Sequence, residues 1–516
     1  MVNVTVDDLF ARYGLTYRAL ITVTGMTASF AMVISSTIVN VAVPDVMGSF
    51  GIGQDQAQLM ATAFNVAMTA SQLLNAWVVA VLGQRHGFAV TLVLFTLGSL
   101  IAGLGQDFGM IVFGRVLQGA AAGVIQPLVM VTIFQIFPAD RRGFAMGIYA
   151  MGLMLALAFG PVLGGVAIEA FDWRYIFFAT LPLVGVAFMA GLVFMPSVRS
   201  ETRQPFDWTG YVLVVIALFC LMTGLTDGQR EGWTSNYTLG LFLTAVVAGA
   251  AFIGSQMRPG AKLLDLTLFR DRQFATAMLV VFTVGIGNFV IIYAVPVFGQ
   301  LVQGMTPLRA GMVMLPAGVL VVFVLPFTGR LSDHLRPHLA IMAGLMFFAA
   351  GAAPMADADV NTPFLMIAIY AIIARSGSSL MMPFVMTTAL KTVPPEKLNA
   401  GAGAVNFCRQ LGGSLGLNAW VVFIEIRTRF HSESLTATQS SDNQASRELL
   451  QGVGRILGES GVPQVLHEPG ALHYLGQMVH AQATTLGFQD GFWILVIVYL
   501  LGLIPAWILG RTNRGQ

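Results

Sequence analysis

The stretch GFAMGIYAMGLMLALAFGPVLGGVAI, Gly143 to Ile168, runs between Arg142 and Glu169 without a charged side chain. A helix rises about 1.5 Å per residue and the hydrocarbon core of a bilayer is about 30 Å thick, so this run is long enough to cross it. The flanking stretches repeat the pattern. Asp107 to Asp140 holds one internal charge, Arg115, and Arg174 to Arg199 holds none. Over the whole 516 residues only 10% are charged and 56% are hydrophobic, with a mean hydropathy of +0.76. A soluble chain carries about 25% charged residues. The deficit leaves too little polar surface to face water everywhere, so lipid is part of the solvent.

Charges are sparse enough to delimit the spans. Reading between them gives fourteen apolar intervals, from Arg18–Asp45 through Asp207–Asp227 and Glu231–Arg258 to Asp490–Arg511. Arg115, Arg375 and Arg409 are internal to three of them. With both termini in the cytoplasm, seventeen Lys/Arg fall in cytoplasmic segments, among them Arg85, Arg142, Arg199, Arg203, Arg330 and Arg514. The short external loops hold only Arg174, Arg230 and Arg309, as the positive-inside rule requires. The first apolar run, Ala19 to Pro44, exceeds the roughly 7–15 residues of a signal core and reads as a retained first span. One connection is long: about 428–489 is polar and external, with Asp442 and Glu448 in it, and residues 445–457 show helical spacing. It reads either as a tolerated loop or as a docking surface.

Several functions are excluded. A net charge of +2 gives no reason to expect a nucleic-acid partner, and two cysteines cannot organise a disulfide framework. The chain has no H-E-x-x-H and no Walker loop, and its seven histidines are scattered over both sides of the membrane. No metal, no cofactor and no enzymatic site is therefore expected.

The remaining motifs carry a resemblance. The first span contains Thr37-Ile38-Val39-Asn40-Val41-Ala42-Val43-Pro44, and the fourth contains Arg115-Val116-Leu117-Gln118-Gly119. The fifth carries Gly147 and then Gly160-Pro161-Val162-Leu163-Gly164-Gly165. Trp173-Arg174-Tyr175-Ile176-Phe177 opens the sixth, and Asn406-Phe407-Cys408-Arg409-Gln410-Leu411-Gly412-Gly413-Ser414 follows late in the chain. In this order the set resembles the fourteen-spanner drug:proton antiporter family (EmrB and QacA relatives) of the major facilitator superfamily. The resemblance implies an all-α fold with two six-helix bundles, 1–198 and 261–516, and two inserted helices within 199–260. It implies a small-molecule cavity at the midplane between rocking halves, lined by the first, fourth, ninth and twelfth spans. Multidrug efflux across the bacterial inner membrane, proton antiport, a periplasmic adaptor and an outer-membrane channel are further implications. An uptake symporter of the same fold and a non-transporting sensor remain the alternatives.

Candidate site residues follow. Asn40, Arg115, Gln118, Asn288, Tyr293 and Arg375 are expected at the cavity. Gly147, Gly160, Pro161, Gly164 and Gly165 are expected to form a face that seals or opens, since glycine admits close helix approach and proline frees a backbone acceptor. Arg85 and Asp333, in the degenerate loop motifs Gln84-Arg85-His86-Gly87 and Gly329-Arg330-Leu331-Ser332-Asp333, are expected to hold one state through a helix end or a cation. Arg409 reads either as a pathway residue or as an arginine satisfied by carbonyls or reaching the interface. One departure stands out: Ser35 occupies the place where these relatives usually have aspartate. None of the 25 acidic residues falls deep in a span. That pattern predicts anionic or neutral amphiphiles as cargo, and leaves the proton-carrying group open.

Overall fold

The computed structural model describes residues 6–197, 205–258, 260, 262–439 and 443–512. Arg199, Arg203, Asp442 and Arg514 lie outside the described residues. Among the described residues every regular element is a helix. Among the described residues, twelve helical segments are long and apolar enough to cross a membrane.

The helices used below are α1 (Thr16–Ile38), α2 (Gln54–Ser71), α3 (Asn75–Leu104), α4 (Phe108–Ile136), α5 (Arg142–Ala170), α6 (Leu181–Phe194), α7 (Trp208–Glu231) and α8 (Asn236–Met257). They continue as α9 (Arg272–Leu301), α10 (Leu315–Ser332), α11 (Pro337–Ala352), α12 (Phe364–Lys391), α13 (Leu398–Ala437), α14 (Gln444–Glu459), α15 (His467–Leu501) and α16 (Leu503–Thr512).

Several charges that delimit the spans in the sequence are helix caps. Asp107 accepts the Met110 N–H at 2.9 Å at the start of α4. Asp207 accepts the Gly210 N–H at 2.8 Å, and Asp271 accepts those of Gln273 and Phe274 at 2.6 and 3.1 Å. An aspartate at the membrane edge satisfies the otherwise orphaned first N–H groups of a helix, which is why it sits there.

Two segments do not follow a one-helix, one-crossing rule. The continuous apolar segment Gln56–Leu104 has 49 residues. At about 1.5 Å per residue it would span roughly twice the hydrocarbon core if straight. The backbone breaks at Gly83, with φ 77° and ψ 169°. A side chain there would be strained by the positive φ, and glycine avoids that cost. The chain doubles back at this point, so that Gly87 lies against Val78. In contrast, α13 is 40 residues long but too polar to count among the twelve, because Asn406, Arg409, Gln410, Ser414 and Asn418 lie on it.

Packing repeats. Helix α1 packs on α5 and α6, and α2 and α3 pack on α4. In the second half α9 packs on α13 and α15, and α10 and α11 pack on α12. The two sets meet along α5–α10 and where α13 crosses the end of α2. Helix α7 packs on α8 and also touches α2 of one set and α13 of the other. Outward faces remain apolar: Leu243, Val246 and Val247 on α8, and Phe323 and Phe327 on α10, are exposed. Large apolar side chains left open over many helices fit lipid, not water.

The polar stretch 428–489 is not a loose loop. Helix α13 continues to Ala437 and α15 begins at His467, so both helices extend through it, with the amphipathic α14 between them. Asp490 joins the two helices, accepting from Arg427 Nε at 2.6 Å and lying 2.7 Å from His431 Nε2.

Candidate functional site

A cavity of about 840 Å³ opens between the two sets of helices. Asn40 reaches it from the end of α1, and Gln58, Thr62 and Asn65 from α2. Phe289 and Tyr293 come from α9, and Ser414, Leu417 and Asn418 from α13. Met222, Leu225, Thr226, Asp227 and Arg230 of α7 complete it. The lining runs from helix interiors, at Asn65 and Phe289, to helix ends, at Gly53 and Arg230. The cavity therefore leads to the end of the bundle away from Arg85, Arg142 and Arg330. Its wall is mixed: amides and hydroxyls alternate with apolar side chains, and its only charged lining residues among the described ones are Asp227 and Arg230, in the last turns of α7. Such a wall has the chemistry an amphiphile would need: apolar area for affinity and a few polar groups for orientation.

The opposite, arginine-rich end is shut by α5 against α10. A Cβ at Gly147 would lie 2.4 Å from the Leu325 carbonyl oxygen and 3.0 Å from Gly329 Cα. Only glycine lets these backbones approach so closely. Asp333 then caps the start of α5 from the other half: Gly143 N–H donates to Oδ1 at 2.6 Å and Phe144 N–H to Oδ2 at 3.1 Å. A carboxylate on a helix N-terminus is favoured by both the free N–H groups and the helix dipole. Arg330 covers the Phe144 ring at 4.8 Å. Arg85 serves its own half, donating from Nε to the Met195 carbonyl at 2.7 Å.

Deeper, polar side chains join the halves. Arg409 Nη2 donates to Gln126 Oε1 at 3.3 Å and to Asn406 Oδ1 at 3.4 Å. Within the first half, Tyr149 OH donates to the Gln126 carbonyl at 3.0 Å and so fixes the helix that Arg409 meets. Asn75 Nδ2 donates to the Asn399 carbonyl at 3.1 Å and to its Oδ1 at 3.3 Å. Arg409 is thus a bolt between the halves.

The remaining expected residues are dispersed. Asn40 and Tyr293 line the cavity. Arg115 does not: it is fully buried inside the first half. Its Nε donates to the Met60 carbonyl at 3.2 Å, and Nη1 donates to the Ser35 carbonyl, the Ser35 hydroxyl and Gln118 Oε1 at 3.1, 3.2 and 2.9 Å. The Phe64 ring lies 4.2 Å from its Cζ. Gln118 is buried with it and donates to Ser99 Oγ at 2.7 Å. Asn288 and Arg375 line a separate small chamber. Gly160 and Gly164 pack α5 on α1 of the same half, against Thr37 and Ile38, whereas Gly165 meets nothing and Pro161 is exposed. The fourth and twelfth spans contribute nothing to the large cavity; α2, α7 and α13 supply most of it instead. Gln58, Thr62, Asn418 and the α7 residues were not singled out from sequence. Their one available signal was polarity inside an apolar span, which helix-to-helix hydrogen bonding produces equally well.

The family model of the Major Facilitator Superfamily matches residues 25–417. The chain belongs to the major facilitator superfamily. It is 26% identical over 494 residues to the multidrug export protein EmrB of Haemophilus influenzae, covering 95% of each chain. It is 27% identical over 488 residues to the lincomycin resistance protein LmrB of Listeria monocytogenes, covering 95% of this chain and 96% of the relative. Among solved structures, that of the proton:xylose symporter XylE superposes with a TM-score of 0.61 at 13% identity, over 96% of each chain, a likeness of fold alone. The chain is accordingly a multi-pass membrane protein of a transporter family.

Proposed function

We propose that this protein is a secondary active efflux transporter that exports neutral or anionic amphiphiles by proton antiport from the cytoplasmic side of a bacterial inner membrane. The supporting observation is the asymmetry of the seam between the halves. A wide cavity leads to one end, and a glycine-lined, Asp333-capped contact shuts the arginine-rich end. With that basic end in the cytoplasm, as the charge bias favours, the conformation faces outward. The relatives named for multidrug export and lincomycin resistance support the direction of transport.

In this reading there are fourteen crossings. Dividing Gln56–Leu104 at Gly83 adds one to the twelve, and the membrane-embedded part of α13 adds another. Residues 1–198 and 261–516 form the moving bundles, and 199–260 the insertion. Lacking a deep carboxylate, the cavity offers a lipophilic cation no counter-charge except Asp227, which Arg230 accompanies. The extended α13 and α15 with α14 form a protruding platform suited to a periplasmic adaptor and an outer-membrane channel.

The test is transport in proteoliposomes under an imposed pH gradient, with a lipophilic weak acid and ethidium as probes. Gradient-dependent movement of the weak acid is expected. Ethidium transport without any weak-acid transport would overturn the cargo assignment, and no gradient-dependent movement of either would overturn proton-coupled efflux. Replacing residues 438–466 by a short linker should abolish adaptor co-purification and leave insertion intact.

A further inference from the structure

Arg115 and Arg375 occupy matching places, on α4 and α12, the central helices of the two sets. Both are buried, at 0% and 6% exposure. Their surroundings differ in one decisive way. Arg115 donates to four oxygen acceptors and leaves only its Nη2 without a partner. The Arg375 side chain donates to no oxygen: its one hydrogen bond runs from Nη2 to Met154 Sδ at 3.7 Å, and its Nε and Nη1 have no partner. Among the described residues it forms no ion pair.

A guanidinium does not shed its proton in a protein, so this charge cannot vanish by titration. A thioether is a weak acceptor. A buried charge without an opposite charge or a full set of acceptors is strongly unfavourable, and such groups are normally paired. The unpaired N–H groups border a chamber of about 10 Å³ that Asn288, Ser378 and Ser379 also line. Met154 and Ala150 close it from α5 of the other half. That volume accommodates about one water-sized sphere, so a slightly larger halide enters with a small shift of the flexible Met154 side chain.

We infer that the chamber at Arg375 is a binding site for a small monoanion, of which chloride is the fitting example. The anion supplies the missing counter-charge, and the Asn288 amide and the Ser378 hydroxyl add donors. The inference deepens the transport reading, since the chamber straddles the seam along which the halves would part, where the acidic group of an anionic cargo would displace the ion.

The experiment uses the full-length protein in lipid nanodiscs. Thermal midpoints are measured while chloride replaces gluconate at constant ionic strength. A saturable rise with chloride is expected, and Arg375→Gln should abolish it. Equal midpoints in chloride and gluconate would overturn the proposal, as would an undiminished chloride effect in R375Q. If R375Q does not fold, equilibrium binding of radiolabelled chloride to the unaltered protein decides: one saturable class supports the site and its absence overturns it. An acetate arm separates the sources. Stabilisation by chloride but not acetate assigns a free halide, and acetate competing with labelled chloride assigns the same site to carboxylate groups of cargo. Chloride binding is read without transport, so a failed efflux assay and a failed anion site are separate results.

Discussion

Replacing Asp333 by alanine should swing the protein away from the conformation described here. The side chain makes two bonds across the seam, to the N–H groups of Gly143 and Phe144 at 2.6 and 3.1 Å. A hydrogen bond to a charged group contributes about 1.5–3 kcal/mol, and a carboxylate at a helix N-terminus adds about 0.3–1 kcal/mol at a partly exposed site. Because Asp333 is half-buried, water recovers part of that loss, and a net figure of about 2–3 kcal/mol is reasonable. Each 1.4 kcal/mol is tenfold, so the population open at the arginine-rich end should rise roughly 30- to 150-fold relative to the shut state. The assay is labelling of a single cysteine at Ala150, a fully buried position on α5, with Cys220 and Cys408 replaced by serine. A membrane-impermeant maleimide applied from the arginine-rich side should react much faster in the Asp333→Ala background. Labelling rates equal within twofold would refute the idea that this cap holds the seam shut.

Gly147→Val should block closure of the same seam, because its Cβ would meet the Leu325 carbonyl at 2.4 Å; transport should fall at least tenfold while membrane insertion, measured by fractionation, stays normal. Arg115→Met should act on folding, since it strands the acceptors at Ser35, Met60 and Gln118. Leaving these neutral acceptors buried and unpaired costs about 1–3 kcal/mol, read as a fall in thermal midpoint. Outside the membrane, burial raises the Asp265 carboxyl, but the Lys397 ammonium at 2.7 Å and the Thr267 hydroxyl and N–H outweigh it and hold it below the usual range. A depressed carboxylate stabilises above its unfolded value of about 3.9 and loses that contribution as pH falls through the folded value. The midpoint should therefore drop on acidification below about pH 4, and Asp265→Asn should flatten that drop in a melting series.

Much of the fold is legible because lipid makes charge placement nearly binary. Asp107 and Asp207 mark helix starts in the sequence for the same reason that they cap them in three dimensions, and Asp271 caps the helix whose start the neighbouring Arg272 marks. The turn at Gly83 was readable only through the charge beside it, Arg85, since the helix pattern runs almost unbroken across it. The site is less legible. A buried arginine looks the same in sequence whether oxygen acceptors hold it, as at Arg115, or a lone thioether does, as at Arg375. The difference is made by residues far away in the chain, Ser35 and Met60 in one case and Met154 in the other. Likewise, nothing in the α7 sequence says that it touches both halves, because an apolar helix facing lipid and one facing a cavity have the same composition.

The position of α7 has a mechanical cost and a chemical benefit. It bears on α2 from one half and α13 from the other, so any relative rotation of the halves must slide past it on at least one flank. It also stands like a shutter in the sideways slit through which acyl chains would otherwise reach the chamber. On the efflux reading proposed above, an oily cargo on that flank would have no free passage into the leaflet and would be steered toward the aqueous mouth.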